Sequence, residues 1–361
     1  VGFNCGIIGL PNVGKSTIFN ALSEAGAAMA NYPFCTIEPN RGIVPVPDER
    51  LMRISEILHK PNPLQTKIEF VDVAGLVRGA SRGEGLGNKF LGHIRDVDSI
   101  IHVVRCFRAS DVVHVTGDVD PVGDVEIVKT ELILADLDIL ERAYAKLLKV
   151  AHTGDRDAKS RTGIIDRCIE HLKTGSLLKN LNLHDDELSR LQEYGLITLK
   201  PVLYCANIDE ENSYDAQTRS LQAYALEEDA AFITIIGPLE EEISELSPQD
   251  KQEFLLGMGI GESGLDRLIH ASYTLLNLIS YYTAATELQA WTLRRGTTAL
   301  KAAGKIHTDF EKGFIRAEVF SYEDLIGIGS EHGIREGGRL RSEGREYVIK
   351  DGDIVRYLFN V

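Results

Sequence analysis

Apolar positions along this chain follow two rhythms. Short apolar runs rich in β-branched residues read as strands at Phe3 to Leu10, Lys67 to Val71, Ser99 to Cys106, Leu199 to Ala206 and Ala231 to Ile236. Segments with apolar residues three and four apart read as helices: Ser16 to Leu22, a helix beginning at Phe90, and Gly264 to Leu278. The longest helical run is Val125 to Val150, and it carries two seams. Val125, Val128, Leu132, Ala135 and Ile139 form one; Ile133, Leu137, Leu140, Tyr144 and Leu147 form the other. Two seams require burial on more than one side. A polar stretch, Thr153 to Gly163, reads as a turn, and Ile164, Ile165, Cys168, Ile169 and Leu172 open a second helix. The pair predicts an antiparallel helical hairpin set into the α/β part. From about Ile279 the rhythm changes to short strands at 288–293, 314–320, 338–349 and 353–359, with a small helix at Ala299 to Gly304.

The first strand leads into the stretch with the sharpest chemistry. Gly9 to Ser16, GLPNVGKS, fits G-x-x-x-x-G-K-[ST], and a helical pattern follows it. Strand, Gly-rich turn and helix are the context a phosphate-binding loop needs. The backbone N–H groups of the turn curl around phosphate oxygens, and the helix N-terminus adds its positive end. Asn12, Val13, Gly14, Lys15, Ser16 and Thr17 are the candidate phosphate-side residues. Lys15 is placed to meet the β- and γ-phosphates, and Ser16 to hold Mg²⁺.

Pro33, Pro39, Pro45 and Pro47 keep Asn31 to Pro47 out of a helix. Within this segment Thr36 is the candidate hydroxyl for Mg²⁺ and the γ-phosphate, against the plainer reading of a surface threonine. The strand from Lys67 ends in Asp72-Val73-Ala74-Gly75. A strand-end D-x-x-G downstream of a phosphate loop fits a GTPase-type metal side. Asp72 would hold a metal-bound water and the Gly75 N–H would meet the γ-phosphate. Leu76 follows, where Ras-like proteins carry the glutamine that orients the attacking water. Intrinsic hydrolysis is therefore expected to be slow. Leu76 to Gly92 is rich in glycine and charge and reads as a mobile second switch.

GLPNVGKST followed by DVAGLVRGASRGEGLGNKFL resembles the Obg-related class of P-loop NTPases, and within it the YchF family. The resemblance extends through GKIHTDFEKGFIRAEVFSYEDL to the closing YVIKDGDIVRYLFNV, which is similar to a TGS domain of β-grasp, ubiquitin-like fold. It implies three parts. These are a P-loop NTPase domain of the G type at 1–124 and 198–278, an inserted helical domain at 125–197, and a TGS domain at 279–361. It further implies a potassium ion that Asn12 would hold beside the phosphates, where a turn-forming asparagine is the alternative. His114 becomes a candidate for the missing water-orienting group. Relatives of the class carry Asn-Lys-x-Asp as a guanine reader after the fourth strand. Here the residues are Asn207, Ile208, Asp209 and Glu210. Glutamate is one methylene longer than aspartate, so bidentate pairing with guanine is not assured. A buried donor left unpaired costs ~1–3 kcal/mol. The residues predict an unfaithful guanine reader, and the resemblance supplies adenine.

Composition sets bounds on partners. The 361 residues carry a net charge of −15, which argues against a general nucleic-acid coat. Trp291 to Val361 is near neutral, with 12 Lys/Arg against 11 Asp/Glu. Lys301, Lys305, His307, Lys312 and Arg316 are its basic candidates, or an evenly charged solvated face. None of the five cysteines forms a C-x-x-C pair, so buried reduced thiols are expected. No apolar run approaches the ~20 residues of a membrane span, and no charged segment leads an apolar core, so a cytoplasmic monomer without a membrane is expected. The leading expectation is a slow Mg²⁺-dependent ATPase, a switch between ATP and ADP. It would bind the ribosome or its RNA through the helical and TGS parts and regulate translation or the stress response. The alternatives are an Obg-like GTPase in ribosome assembly, or a ribosome- or RNA-binding module in which nucleotide is mainly structural.

Overall fold

A computed structural model describes residues 2–29, 40–73, 86–107, 119–152, 155–210 and 216–360. The chain begins with β1 (Asn4–Ile8), α1 (Lys15–Met29), β2 (Arg41–Pro45), α2 (Glu49–Leu58), β3 (Lys67–Asp72), α3 (Leu86–Arg95) and β4 (Ser99–Arg105). Contacts divide it into two units: residues 1–43 with 69–272, and residues 44–68 with 273–361.

The first unit is built on a six-stranded sheet that is completed by β5 (Val202–Asn207) and β6 (Ala231–Ile235), in the order β2-β3-β1-β4-β5-β6. Every strand-like run singled out above for this part is a strand. β1 runs parallel to β3 and β4, with Gly6 opposite Val71 and Ile100; β4, β5 and β6 are likewise parallel. The β4 pattern explains its place. All seven of its residues are buried, as a central parallel strand with both faces covered requires. Burial pushes the His102 imidazole down to about 3, so it sits neutral in this layer beside the Tyr204 ring. Parallel strands place all their C-terminal ends on one edge. In open α/β sheets that edge is where ligands bind.

The hairpin comprises α4 (Pro121–Ala151) and α5 (Arg156–Lys173). The second seam of α4 packs on α5: Ile133 and Leu140 share a core with Ile164, Ile165, Cys168, Ile169 and Leu172, flanked by Leu137, Tyr144 and Leu147. The first seam, Val125, Val128, Leu132 and Ala135, is buried on the other side, where α4 lies on β4. The turn is shorter than the sequence suggested. Asp155 accepts from the N–H groups of Asp157 and Ala158 at 2.9 and 3.1 Å, so the helix begins at Arg156. A short helix, α6 (Asp185–Leu191), follows. Asp136 anchors the root of α4. It is fully buried and accepts from Ile197 N, Thr198 N and Thr198 Oγ1 at 3.1, 2.7 and 2.7 Å. Burial pushes its carboxyl up, and the three donors oppose that shift. Helix α7 (Ala216–Glu227) is tied to α4 by Lys129, whose Nζ donates to Tyr224 OH at 3.1 Å and to Glu228 at 2.8 Å. Helices α8 (Gly237–Ser244), α9 (Pro248–Gly257) and α10 (Gly264–Leu275) complete the unit. Buried Glu240 of α8 caps α10 by accepting from Gly264 N and Leu265 N at 2.7 and 3.0 Å.

In the second unit a five-stranded sheet has β7 (Leu278–Thr283), β8 (Gln289–Arg294), β9 (Phe314–Ser321), β10 (Arg341–Glu343) and β11 (Asp353–Phe359) in the order β10-β9-β11-β7-β8. Only β11 and β7 pair in parallel; the other pairs are antiparallel. First and last strands parallel in the middle of the sheet, with the β7–β8 hairpin on one side and the β9–β10 pair on the other, is the β-grasp arrangement. Helix α11 (Ala299–Ile306) crosses one face, with Ala299, Ala302 and Ala303 buried against Tyr281, Phe314 and Val355. Alanines at that seam let the helix approach closely. The stretch 338–349, read above as strand, is strand only at Arg341–Glu343, with an isolated bridge at Val348. Helices α12 (Thr308–Lys312), α13 (Tyr322–Ile328) and α14 (Glu331–Glu336) fill the connections.

The other face of this sheet is covered by a distant piece of chain. Leu51 and Ile54 of α2 are buried with Tyr282, Phe320, Leu325 and Ile354. Asp48 caps α2 through Arg50 N at 3.1 Å and accepts from Tyr282 OH at 2.5 Å. Arg50 reaches Asp351 at 3.0 Å. Residues 44–68 thus fold with the C-terminal part. The four described cysteines, Cys5, Cys106, Cys168 and Cys205, are all buried thiols outside any disulfide, and burial raises the Cys5 thiol to about 12. Among the described residues no helix is long and apolar enough to cross a membrane.

Candidate nucleotide site

The Gly-rich turn leaves β1 where backbone packs on backbone. A Cβ on Gly9 would stand 2.6 Å from the Val103 carbonyl oxygen, so a side chain is excluded there. Asn12 takes the left-handed region at φ 63°, which asparagine tolerates better than most residues. This geometry accounts for Asn12 as a turn former. Gly14 also has positive φ, 87°, and a Cβ on it would fall 2.1 Å from Asn207 Nδ2. The turn then closes into α1 with Ile18 N donating to Gly14 O at 3.1 Å. Lys15, Ser16 and Thr17 occupy the first turn of that helix, where the N–H groups have no intrahelical acceptor.

Lys15 Nζ is ion-paired with Asp72 Oδ1 at the end of β3, and both side chains are largely buried. Two motifs far apart in sequence therefore meet at the C-terminal edge of β1 and β3. Ser16 is exposed beside them. A hydroxyl and a carboxylate are hard oxygen donors of the kind Mg²⁺ takes, and Mg²⁺ ordinarily keeps waters and phosphate oxygens as its remaining ligands. Among the described residues no group of three or more His, Cys, Asp or Glu could cage a metal unaided.

On the far side of Gly14 lies a cavity of about 330 Å³, lined by Gly14, Thr17, Phe107, Asn207, Ile208, Asp209, Glu210, Ile236 and Pro238. Its size falls within the range of small-molecule sites. Asn207 braces it. Its Nδ2 donates to Val13 O at 3.0 Å and its Oδ1 accepts from Gly237 N at 3.1 Å, so one buried amide ties the phosphate loop to the start of α8. Ile208 is buried, its N–H donating to Ile235 O at 2.9 Å, whereas Glu210 is exposed at the rim. The chain thus brings Gly14, Lys15, Ser16, Thr17, Asp72, Asn207, Ile208 and Glu210 to one edge of the sheet. Thr36, Gly75 and His114 lie outside the described residues. So does most of the stretch read as a second switch, except that Leu86 onward is already helix α3. Phe107, Ile236 and Pro238 were not singled out from sequence. Phe107 follows β4, and Ile236 and Pro238 follow β6. Applying the strand-end rule to every parallel strand would have found them.

The family model described as a 50S ribosome-binding GTPase matches residues 4–136. A C-terminal model, YchF-GTPase_C, described as a protein of unknown function, matches residues 278–360. The chain is similar to proteins named ribosome-binding ATPase YchF from Haemophilus ducreyi, at 51% identity, and Bacillus subtilis, at 46%, each over 100% of both chains. The structure of the Schizosaccharomyces pombe YchF GTPase superposes with a TM-score of 0.89 at 34% identity, over 99% of this chain and 98% of that one. A GTP binding protein from Pyrococcus horikoshii, 21% identical with a TM-score of 0.64 over 99% and 100%, shares the fold. The phosphate loop, the strand-end aspartate and the full-length likeness agree: this chain belongs to the YchF family of P-loop NTPases.

Proposed function

We propose that the chain hydrolyses ATP slowly to ADP and phosphate, and that it acts as a nucleotide switch on the ribosome in the cytoplasm. The observation that carries the base preference is the cavity beside Gly14. Its floor holds buried Ile208 where a guanine reader places lysine, and Glu210 stands exposed at the rim. Apolar walls from Phe107, Ile236 and Pro238 suit any purine face, and among the described residues the lining carboxylates are half-buried Asp209 and exposed Glu210. Lys15 and the α1 N-terminus neutralise phosphate charge, Ser16 and Thr36 would hold Mg²⁺, and Asp72 would hold a water bound to it. When bound, the ion supplies positive charge at the transferring phosphoryl group. The relatives' names point to the ribosome as partner, with the hairpin and β-grasp parts as docking faces. The S. pombe relative is titled a GTPase, which keeps GTP as the competing substrate.

Phosphate release tests this reading. ATP turnover is expected on the order of 10⁻³–10⁻² s⁻¹, the scale of unassisted switch hydrolases. It should vanish in EDTA and exceed GTP turnover. Equal or faster GTP turnover would overturn the adenine assignment, and undiminished turnover in EDTA would overturn the metal assignment.

A further inference from the structure

Arg105 has no part in the chemistry described so far, yet it is 2% exposed at the end of β4. Burying a guanidinium is costly unless it is paired. Phe107 and Asp124 both act on it. Its Nε donates to the Phe107 carbonyl at 3.2 Å, and its Cζ lies 4.5 Å from the Phe107 ring centroid. A cation at that distance is attracted to the ring's quadrupole. Burial opposes the charge of Arg105, and the carboxylate of Asp124, itself 2% exposed in the first turn of α4, favours it. One buried side chain therefore grips both backbone and ring of a residue that walls the base cavity.

We infer that Arg105 is a positioning residue for nucleotide-base recognition: it fixes Phe107 as the wall on which the base packs. The inference rests on the reading that the base occupies this cavity. Arginine suits the task because its planar group can stack on a ring while donating along its edge, which lysine cannot do. The geometry makes a prediction specific to the base. Loosening Phe107 should weaken ATP and leave a base-free polyphosphate untouched, whereas general damage to the phosphate loop would weaken both.

The test is binding of Mg²⁺-ATP and of Mg²⁺-tripolyphosphate to the full chain and to Phe107→Ala, Arg105→Lys and the double variant. Phe107→Ala and Arg105→Lys should each weaken ATP about tenfold, the scale of one lost aromatic stacking contact. Tripolyphosphate affinity should stay within about twofold, and the double variant should be no weaker than Phe107→Ala alone. Unchanged ATP binding in Phe107→Ala would show that the base lies elsewhere and would defeat the site reading itself. An Arg105→Lys chain that binds ATP normally while Phe107→Ala does not would defeat only the inference. Equal loss of tripolyphosphate, or multiplying losses in the double variant, would also defeat it. Should Arg105→Lys fail to fold, Asp124→Asn leaves the cavity lining intact and is expected to show the same base-dependent loss; normal ATP affinity in that variant overturns the inference.

Discussion

Replacing Lys15 by alanine is expected to lower kcat for ATP by about 10²–10³, the usual effect of deleting one preorganised group that stabilises transition-state charge. The effect should be larger in hydrolysis than in fold stability, because Lys15 stands at a helix N-terminus and not in a core. Its pairing with Asp72 adds a second consequence. Without the ammonium, a largely buried carboxylate is left uncompensated beside the place where phosphates bind. Like charges then weaken ATP as well as slow its reaction. Lys15→Ala with Asp72→Ala should not recover turnover, and its ATP affinity reports the balance between that repulsion and the support Asp72 gives to Mg²⁺. Calorimetric titration and phosphate release on the same three proteins separate these effects. An affinity that falls further in the double variant would show that Asp72 supports the ligand more than it opposes it.

The second large effect is expected from Gly14→Ala. The residue sits at φ 87°, where an L side chain costs about 1–2 kcal/mol. The added Cβ would also stand 2.1 Å from Asn207 Nδ2, closer than any real contact. Asn207 must then move, which releases Val13 O and Gly237 N inside the protein. A buried polar group left unpaired costs about 1–3 kcal/mol. The expected sum is a loss of about 2–5 kcal/mol in denaturant unfolding, with ATP binding impaired because both ends of the site meet at this amide. Gly175 provides the control: its φ is 83°, but nothing lies within 4 Å of a Cβ there. Gly175→Ala should show the backbone cost alone. Equal losses at the two sites would mean that Asn207 is not the brace described.

What could be read from sequence was what is local. β1, the phosphate loop and α1 are adjacent in the chain, and their pattern is dictated by backbone needs at Gly9 and Gly14. The strands β3 to β6 were visible because buried parallel strands are continuous apolar runs. The start of α5 was misplaced because Asp155 acts as a cap, and a cap looks like any other polar turn residue until its acceptor geometry is known. The walls of the base cavity were hidden for a different reason. Phe107, Ile236 and Pro238 belong together only after parallel pairing sets the ends of β4, β5 and β6 side by side. The place of α2 was hidden most completely. Leu51 and Ile54 show a helical apolar face, but nothing in them says that its partner is Tyr282 or Phe320. Asn207 stands out in sequence as part of the base loop, but its bonds to Val13 and Gly237, which make it a brace as well, need the folded chain to be seen.

The cavity lined by Ile208 and rimmed by Glu210 is not expected to read guanine. A competition titration tests it most directly: a fluorescent nucleotide bound at low salt with Mg²⁺ and K⁺ is displaced by ATP or by GTP. The account predicts displacement by ATP at concentrations at least about tenfold lower, a difference of ~1.4 kcal/mol. Displacement by GTP at the lower concentration would contradict it and make the chain a guanine-nucleotide switch.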